Sequence, residues 1–157
     1  VQARIDRLMN IKGKSSVDSI HKELGRIMWD YVGMGRTAEG LKIGIEKIQA
    51  LRKKFYEDLF IPQLEGVNTE LEKAIRLEDF FLMGQLIAYD ALNRNESCGG
   101  HFREEYQTEE GEAKRDDENF FYVGCWEYQG DDEKAPVLYK EPLVYEAIKV
   151  QTRNYKS

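Results

Sequence analysis

The chain has 157 residues, of which 41% are hydrophobic and 33% are charged, and its formal net charge is −6. This composition is typical of one soluble globular domain and excludes a disordered chain. No apolar run approaches the ~18 residues that cross a bilayer. Because Cys98 and Cys125 are the only cysteines, no disulfide framework is implied and a reducing, cytoplasmic setting is expected. The sequence begins at Val1 rather than at Met, so we expect it to be part of a longer polypeptide.

The first predicted helix follows Ser15 and Ser16, which can cap its amino end, and it ends at Gly33. Apolar residues three and four positions apart define one amphipathic face of this helix. They are Val17, Ile20, Leu24, Ile27, Met28 and Tyr31. This spacing predicts a helix that buries one side.

Two further helices are predicted before residue 97. Thr37 can cap the second helix, and Pro62 follows its end. A capping box at Thr69 and Glu72 opens the third helix, which ends near Asn95. The predicted apolar faces are Leu41, Ile45, Ile48, Leu51, Phe55 and Leu59 in the second helix and Leu71, Ile75, Leu82, Leu86, Tyr89 and Leu92 in the third. Because the connections are short, neighbouring helices are expected to be antiparallel.

The acidic residues are concentrated between Glu104 and Glu118. This segment holds eight acidic and two basic side chains, so its own charge equals the net charge of the whole chain, −6. Nucleic acid is not expected as a partner, because phosphate binding needs a basic face. The segment is interpreted as a solvated loop, with a docking surface for a basic partner as the alternative.

From Asn119 onward the sequence becomes aromatic and β-branched. Residues 119–128 predict a strand, 130–136 a turn and 137–139 a returning strand. Residues 143–150 are compatible with either a strand or a last short helix.

The predicted fold is mainly α, an antiparallel three-helix bundle similar to a spectrin repeat, with an irregular carboxyl-terminal tail that contains short β-strands. We expect one domain overall. Its parts are a lead-in at 1–15, the bundle at 16–97, a glycine-rich and acidic loop at 98–118, and a tail at 119–157 packed on the bundle.

The stretch NESCGGHFREEY, residues 95–106, raises the question of a chemical site. Cys98 and His101 could act as nucleophile and base, or could join Cys125 and His21 in a zinc site. Nucleophilic catalysis also needs an orienting acid and an oxyanion hole, and this polar run shows no walled pocket. Zinc ligands of this kind come in two close pairs, which the chain lacks. We therefore predict no catalytic residue and no metal ligand here.

Residues 33–38, GMGRTA, match the loose dinucleotide-binding pattern G-x-G-x-x-A. That pattern functions where a strand delivers the glycines to a helix. A helix precedes the glycines in this chain, so a loop between two helices is the favoured interpretation.

The loop after the third helix is better explained as a docking feature. Its adjacent glycines allow a sharp turn, and the flanking polar side chains can satisfy the helix-end carbonyls. A rigid polar loop at the end of a long helix suits docking onto a fixed surface. The predicted docking residues are Arg94, Glu96, Gly99, Gly100, His101, Arg103 and Tyr106.

Several segments carry motifs of one known family. They are residues 21–41, 71–97, 96–106, 115–120, 140–142 and 153–155. ESCGGHFREEY resembles the motif E-S-R-G-A-H-x-R-x-D-Y, and RDDENF resembles R-D-D-x-N-[WF], of the C-terminal helical domain of succinate dehydrogenase and fumarate reductase flavoprotein subunits. Cys98 stands where that family often has Arg, and Gly100 where it often has Ala.

The resemblance implies a larger parent subunit that binds FAD covalently and transfers hydride between succinate and fumarate. Electrons would pass to an iron–sulfur subunit and then to quinone through a membrane anchor. The family's flavin-linking and substrate-binding residues lie upstream, and no position here matches them, so this segment is expected to hold no cofactor.

The resemblance further implies a non-catalytic role. The segment would brace the FAD and capping domains and help to contact the iron–sulfur subunit, without inserting into the membrane. It would lie in the cytoplasm, peripheral to the inner membrane through partner subunits. An apolar patch on the excised domain could drive self-association. The alternatives are a related flavoprotein such as L-aspartate oxidase, or a free-standing acidic interaction module.

Overall fold

The structure, a computed structural model, describes residues 1–130 and 134–151. It divides into two compact units, Val1–Asn93 and Arg94–Ser157. The first unit contains α1 (Gln2–Met9), β1 (Ser15–Ser16), α2 (Val17–Val32), β2 (Gly35–Arg36), α3 (Ala38–Asp58), β3 (Leu59–Phe60) and α4 (Thr69–Asn93). The second contains β4 (Phe102–Arg103), α5 (Asp117–Phe120), β5 (Tyr122–Glu127) and β6 (Val137–Pro142).

Helices α2, α3 and α4 pack on one another around an apolar core, which confirms the predicted mainly helical architecture. The buried core residues are Leu8, Val17, Ile20, Leu24, Ile27, Val32, Leu41, Ile48, Leu51, Phe55, Leu59, Ile61, Ala74, Leu77, Phe81, Ala88 and Ala91. The predicted faces of α2 and α3 supply most of these residues. Among the described residues, no helix is both long enough and apolar enough to cross a membrane.

Two of the predicted helix caps are confirmed, and the third lies one residue earlier. The Ser16 hydroxyl accepts a hydrogen bond from the Ser19 amide at 3.2 Å, at the start of α2. The Thr37 hydroxyl accepts one from the Gly40 amide at 2.9 Å, at the start of α3. At α4 the capping acceptor is Asn68, whose side-chain oxygen receives the Leu71 amide at 3.1 Å. The capping box predicted one residue later is therefore wrong.

The predicted apolar face of α4 is also wrong in part. Leu82, expected in the core, is 40% exposed. The residues that α4 buries are Ala74, Leu77, Glu78, Phe81, Gly84, Ala88 and Ala91. Many of them are small, and small side chains let neighbouring helices approach closely, so α4 turns its alanines and glycine inward and leaves several larger apolar residues outside.

Helix α1 was not predicted, and it is attached to α4 by a buried carboxylate. Glu78 is 4% exposed and receives hydrogen bonds from Arg4 Nε, from Arg7 Nη2 at 2.5 Å and from the Tyr56 hydroxyl at 2.8 Å. Leu8 of α1 is fully buried in the core. Burial and the hydrogen bond to Glu78 raise the pKa of the Tyr56 hydroxyl.

Asp58 joins the end of α3 to the segment before α2. Its carboxylate receives the Ser15 hydroxyl at 2.5 Å and the Lys14 amide at 3.0 Å. Strands β1 and β3 then pair in parallel, with Ser15 opposite Leu59. These two hydrogen bonds lower the pKa of Asp58 below its ordinary value of 3.8, because they favour the ionised carboxylate.

In the second unit, β5 and β6 form the predicted antiparallel hairpin, in which Cys125 lies opposite Tyr139. The predicted turn lies partly outside the described residues, and the motif at 153–155 lies wholly outside them. Residues 143–150 form neither of the two expected elements, although the Leu143 amide donates to the Phe121 carbonyl at 3.1 Å.

Candidate docking site

The tip of the candidate loop is a tight turn made by Gly99 and Gly100. The Cys98 amide donates to the His101 carbonyl at 2.8 Å, and the His101 amide donates to the Cys98 carbonyl at 3.0 Å. Gly99 has a φ of 58°, in the left-handed region that side chains other than glycine rarely adopt. Both glycines are exposed, and no atom lies within 4 Å of a Cβ built on either. The backbone of the turn is therefore open to its surroundings.

Behind the tip, Ser97 fixes the returning strand. The Ser97 hydroxyl receives the Arg103 amide at 2.8 Å and donates to the Arg103 carbonyl at 3.1 Å. Ser97 is fully buried and Arg103 is 2% exposed. The Arg103 guanidinium donates to Glu105 at 3.1 Å and lies over the Tyr106 ring, 5.4 Å from its centroid. Both the backbone and the side chain of Arg103 are thus held in place.

Arg94 connects the loop to the segment that follows the acidic run. Its guanidinium donates to Glu96 at 2.6 Å, to the Phe120 carbonyl at 3.2 Å and to the Tyr122 carbonyl at 3.1 Å. It also lies over the rings of Phe120 and Tyr122, 5.7 and 5.1 Å from their centroids. One side chain therefore combines charge-assisted hydrogen bonds with cation–π contacts.

The Glu96 carboxylate is the buried acceptor of this network. It is 2% exposed, and the oxygen not bound to Arg94 receives the Asp116 amide at 2.9 Å. On the other side, His101 Nε2 donates to the Arg94 carbonyl at 2.9 Å, which places the proton on that nitrogen. The seven residues predicted from the sequence therefore belong to one hydrogen-bonded loop, and their docking role stays a prediction.

The acidic segment is closed by its own backbone. The Lys114 amide donates to the Tyr106 carbonyl at 3.1 Å, and the Thr108 amide donates to the Glu112 carbonyl at 2.9 Å. Most of the carboxylates in this segment remain exposed. The acidic segment is therefore a hydrogen-bonded loop whose exposed carboxylates carry negative charge.

Sequence reasoning missed three residues that shape the site. Asp116 caps α5 by accepting the Asn119 amide at 3.2 Å, and the spacing D-x-x-N is a local signal that could have revealed this cap. Phe120 and Tyr122 contact Arg94 across more than 20 residues, and no local sequence pattern predicts such a contact.

Arg115 lies next to this site. Partial burial lowers the pKa of its guanidinium, but the hydrogen bonds to Asp117 and the negative charge of Asp117 raise it. The net pKa of Arg115 lies above its ordinary value.

The residues considered for catalysis or zinc binding lie on different elements. Among residues 1–130 and 134–151, no group of three or more His, Cys, Asp or Glu side chains is arranged to hold a metal ion. His21 lies on α2 with its ring stacked on Phe80 at 5.5 Å, and Cys125 is exposed on the hairpin. Gly33 follows α2 and Thr37 caps α3, so the G-x-G-x-x-A run is a connection between helices, as expected.

Comparison with known proteins identifies the family. The family described as the fumarate reductase flavoprotein C-terminal domain matches residues 21–155. The chain belongs to the succinate dehydrogenase and fumarate reductase flavoprotein C-terminal domain family, as its motifs predicted.

Individual relatives agree with this assignment. The chain is 32% identical over 120 residues to the fumarate reductase flavoprotein subunit of a Serratia species, covering 76% of this chain and 19% of the relative. It is 27% identical over 140 residues to the mitochondrial succinate dehydrogenase [ubiquinone] flavoprotein subunit of Oryza sativa, covering 88% of this chain and 21% of the relative.

A solved chain of a variant Escherichia coli quinol fumarate reductase has a similar fold. It aligns with a TM-score of 0.79 at 25% identity, covering 96% of this chain and 25% of that one. The chain thus spans about a fifth of the flavoprotein relatives and a quarter of the solved chain.

Proposed function

We propose that this chain serves as the C-terminal domain of a complete succinate:quinone oxidoreductase or fumarate reductase flavoprotein subunit. In that subunit it braces the FAD and substrate-binding domains and contributes to contact with the iron–sulfur subunit. The flavin and the dicarboxylate site belong to the rest of the subunit. The assembly lies in the cytoplasm, peripheral to the inner membrane through its partner subunits.

The loop at residues 94–106 is the proposed docking feature, and its internal hydrogen bonding is the observation that carries this proposal. Arg94, Glu96, Ser97 and Arg103 form hydrogen bonds to other residues of the loop and of its own unit. A surface fixed in this way loses little side-chain entropy when a partner binds. The open glycine turn at Gly99 then allows close approach of another backbone.

The test replaces the turn within the complete gene product. Gly99→Glu introduces a side chain and a charge at the tip, and His101→Ala removes the ring that holds the Arg94 carbonyl. Gly66→Glu is the matched control, because Gly66 also has a positive φ, 84°, and open space around it, but lies between α3 and α4. We expect Gly99→Glu to weaken retention of the iron–sulfur subunit about tenfold or more, since an unpaired charge at an interface costs at least ~1.4 kcal/mol.

The measurements are covalent flavin content, succinate turnover and co-purification of the iron–sulfur subunit. The control should match the unaltered protein in all three. Normal assembly and turnover of both loop variants would reject the docking role. A complete product that carries no flavin and shows no succinate or fumarate activity would reject the flavoprotein assignment itself.

A further inference from the structure

Large apolar side chains of α2 and α4 are exposed to solvent in the helical unit. Trp29 of α2 is 83% exposed, and Phe80, Met83 and Ile87 of α4 are 44%, 56% and 44% exposed. Exposed groups of large apolar residues on one surface mark interaction sites more often than scattered single residues do. These four residues, with His21 and Gly25 of α2, are called the α2/α4 seam.

The seam is continuous because α2 and α4 run side by side in the same direction. Near the start of both helices, Lys73 donates to Asp18 at 3.1 Å. Farther along, the His21 ring stacks on Phe80, and Met28 Sδ lies 3.1 Å from the position that a Cβ on Gly84 would occupy.

Helical spacing places the seam residues along this line. His21, Gly25 and Trp29 are four residues apart, and Phe80, Met83 and Ile87 are three and four apart, so each set lies on one side of its helix. A Cβ added to Gly25 would meet no atom within 4 Å, so the surface at this glycine is open.

The outer face of α3 has the opposite character. It exposes Lys42, Glu46, Lys47, Gln49, Lys53 and Glu57. A face of alternating charges is stable in water, whereas the seam gains free energy when it is covered. The outer face of α3 is therefore suited to solvent, and the α2/α4 seam is suited to burial.

We propose that the α2/α4 seam is the surface on which the bundle docks against the remaining polypeptide of its own flavoprotein subunit. This inference rests on the proposed function. It deepens that proposal, because it assigns the face and orientation of the bundle: seam inward, α3 outward. The matched solved chain is about four times the length of the aligned region, so most of that polypeptide lies outside it and is available to cover the seam.

The seam also indicates the chemistry of the surface that it meets. Lys22 and Arg26 are exposed on α2 beside Trp29. An apolar patch with cations on one edge fits an apolar surface that carries carboxylates on the corresponding edge. A second copy of the chain would instead bring Lys22 and Arg26 of both copies into the same contact region.

Hydroxyl-radical footprinting of the complete gene product tests the seam directly, because Trp and Met side chains oxidise readily. If the seam is covered, Trp29 and Met83 should be oxidised about tenfold more slowly than the free amino-acid derivatives, since core positions of an interface exclude water. Oxidation at nearly the free rate would overturn the proposal. Protection that disappears on dilution would indicate a second copy as the occupant and would also overturn it.

Variants of the complete product supply the second readout. Trp29→Glu and Met83→Glu should speed proteolytic release of the bundle about tenfold, because each buries a charge in the seam. Ala50→Glu, on the exposed side of α3, is the matched control and should leave release unchanged. A flavin-containing, active product in which Trp29 is unprotected would reject the seam alone, whereas a product without flavin or activity would reject the proposed function.

Discussion

Glu96 shows how a single buried carboxylate can organise the loop. Its side chain is 3% exposed while that of Arg94 is 21% exposed, and its two oxygens bind Arg94 and the Asp116 amide. A buried charge is stable only when it is paired and hydrogen-bonded. Glu96 meets both conditions.

Replacing Glu96 by Ala should therefore lower the free energy of unfolding by about 2 kcal/mol, because it leaves the Arg94 guanidinium and the Asp116 amide without their carboxylate. Urea unfolding followed by circular dichroism measures the change. Glu109→Ala removes an exposed carboxylate from the acidic segment at 104–118 and should change the free energy of unfolding by less than about 0.5 kcal/mol. A Glu96→Ala variant as stable as the control would contradict the role assigned to this residue.

The sequence located the residues of this loop but not their partners. The motif ESCGGH and its neighbours identified the loop, because glycine and charged residues at fixed spacing are visible locally. The contacts of Arg94 with Phe120 and Tyr122 depend on how the chain returns after the acidic segment, and no local pattern contains that information.

At the scale of elements, the sequence predicted the helices whose apolar face is clear from spacing, but not the features that depend on tertiary contacts. Periodicity predicted the core faces of α2 and α3, because each has one apolar side and one polar side. Helix α4 is apolar on several sides, so the spacing of its apolar residues did not show which side faces the core. The side that is buried carries small residues such as Gly84 and Ala88, which allow close packing of the neighbouring helices. Helix α1 was missed because its anchor, Glu78, lies more than 70 residues away.

The link between α3 and the start of α2 should be sensitive to acid. Asp58 has a folded-state pKa below its ordinary value of 3.8, so it stabilises the fold above that pH. This contribution is lost as the pH falls through the lower folded-state pKa, when the carboxyl is protonated. Asp58→Asn should therefore lower Tm at neutral pH and reduce the loss of Tm between neutral and strongly acidic pH.

Thermal unfolding of both proteins across this pH range measures the effect. Glu57→Gln is a suitable control, because Glu57 is an exposed neighbour that forms only a long ion pair of 3.9 Å with Lys53. Parallel Tm curves for the unaltered protein and Asp58→Asn would show that the carboxylate does not hold this connection.

At the scale of the whole molecule, the fold follows from the helical sequence and its family assignment is shown by comparison. The described residues contain a mainly helical unit and a second unit with a small hairpin. Motifs spread from residue 21 to residue 155 made the family predictable from sequence. The seam proposed for docking could not be located from the sequence, because its large apolar residues are indistinguishable from core residues in a one-dimensional pattern.

The central claim is that this chain supports a flavoprotein whose redox chemistry lies in the rest of the subunit. The visible spectrum of the purified complete gene product, recorded before and after addition of succinate and then fumarate, tests it most directly beside that of the 157-residue segment alone. We predict a flavin band in the complete product that succinate bleaches and fumarate restores, and no such band in the segment. A yellow segment that succinate bleaches by itself would contradict the claim.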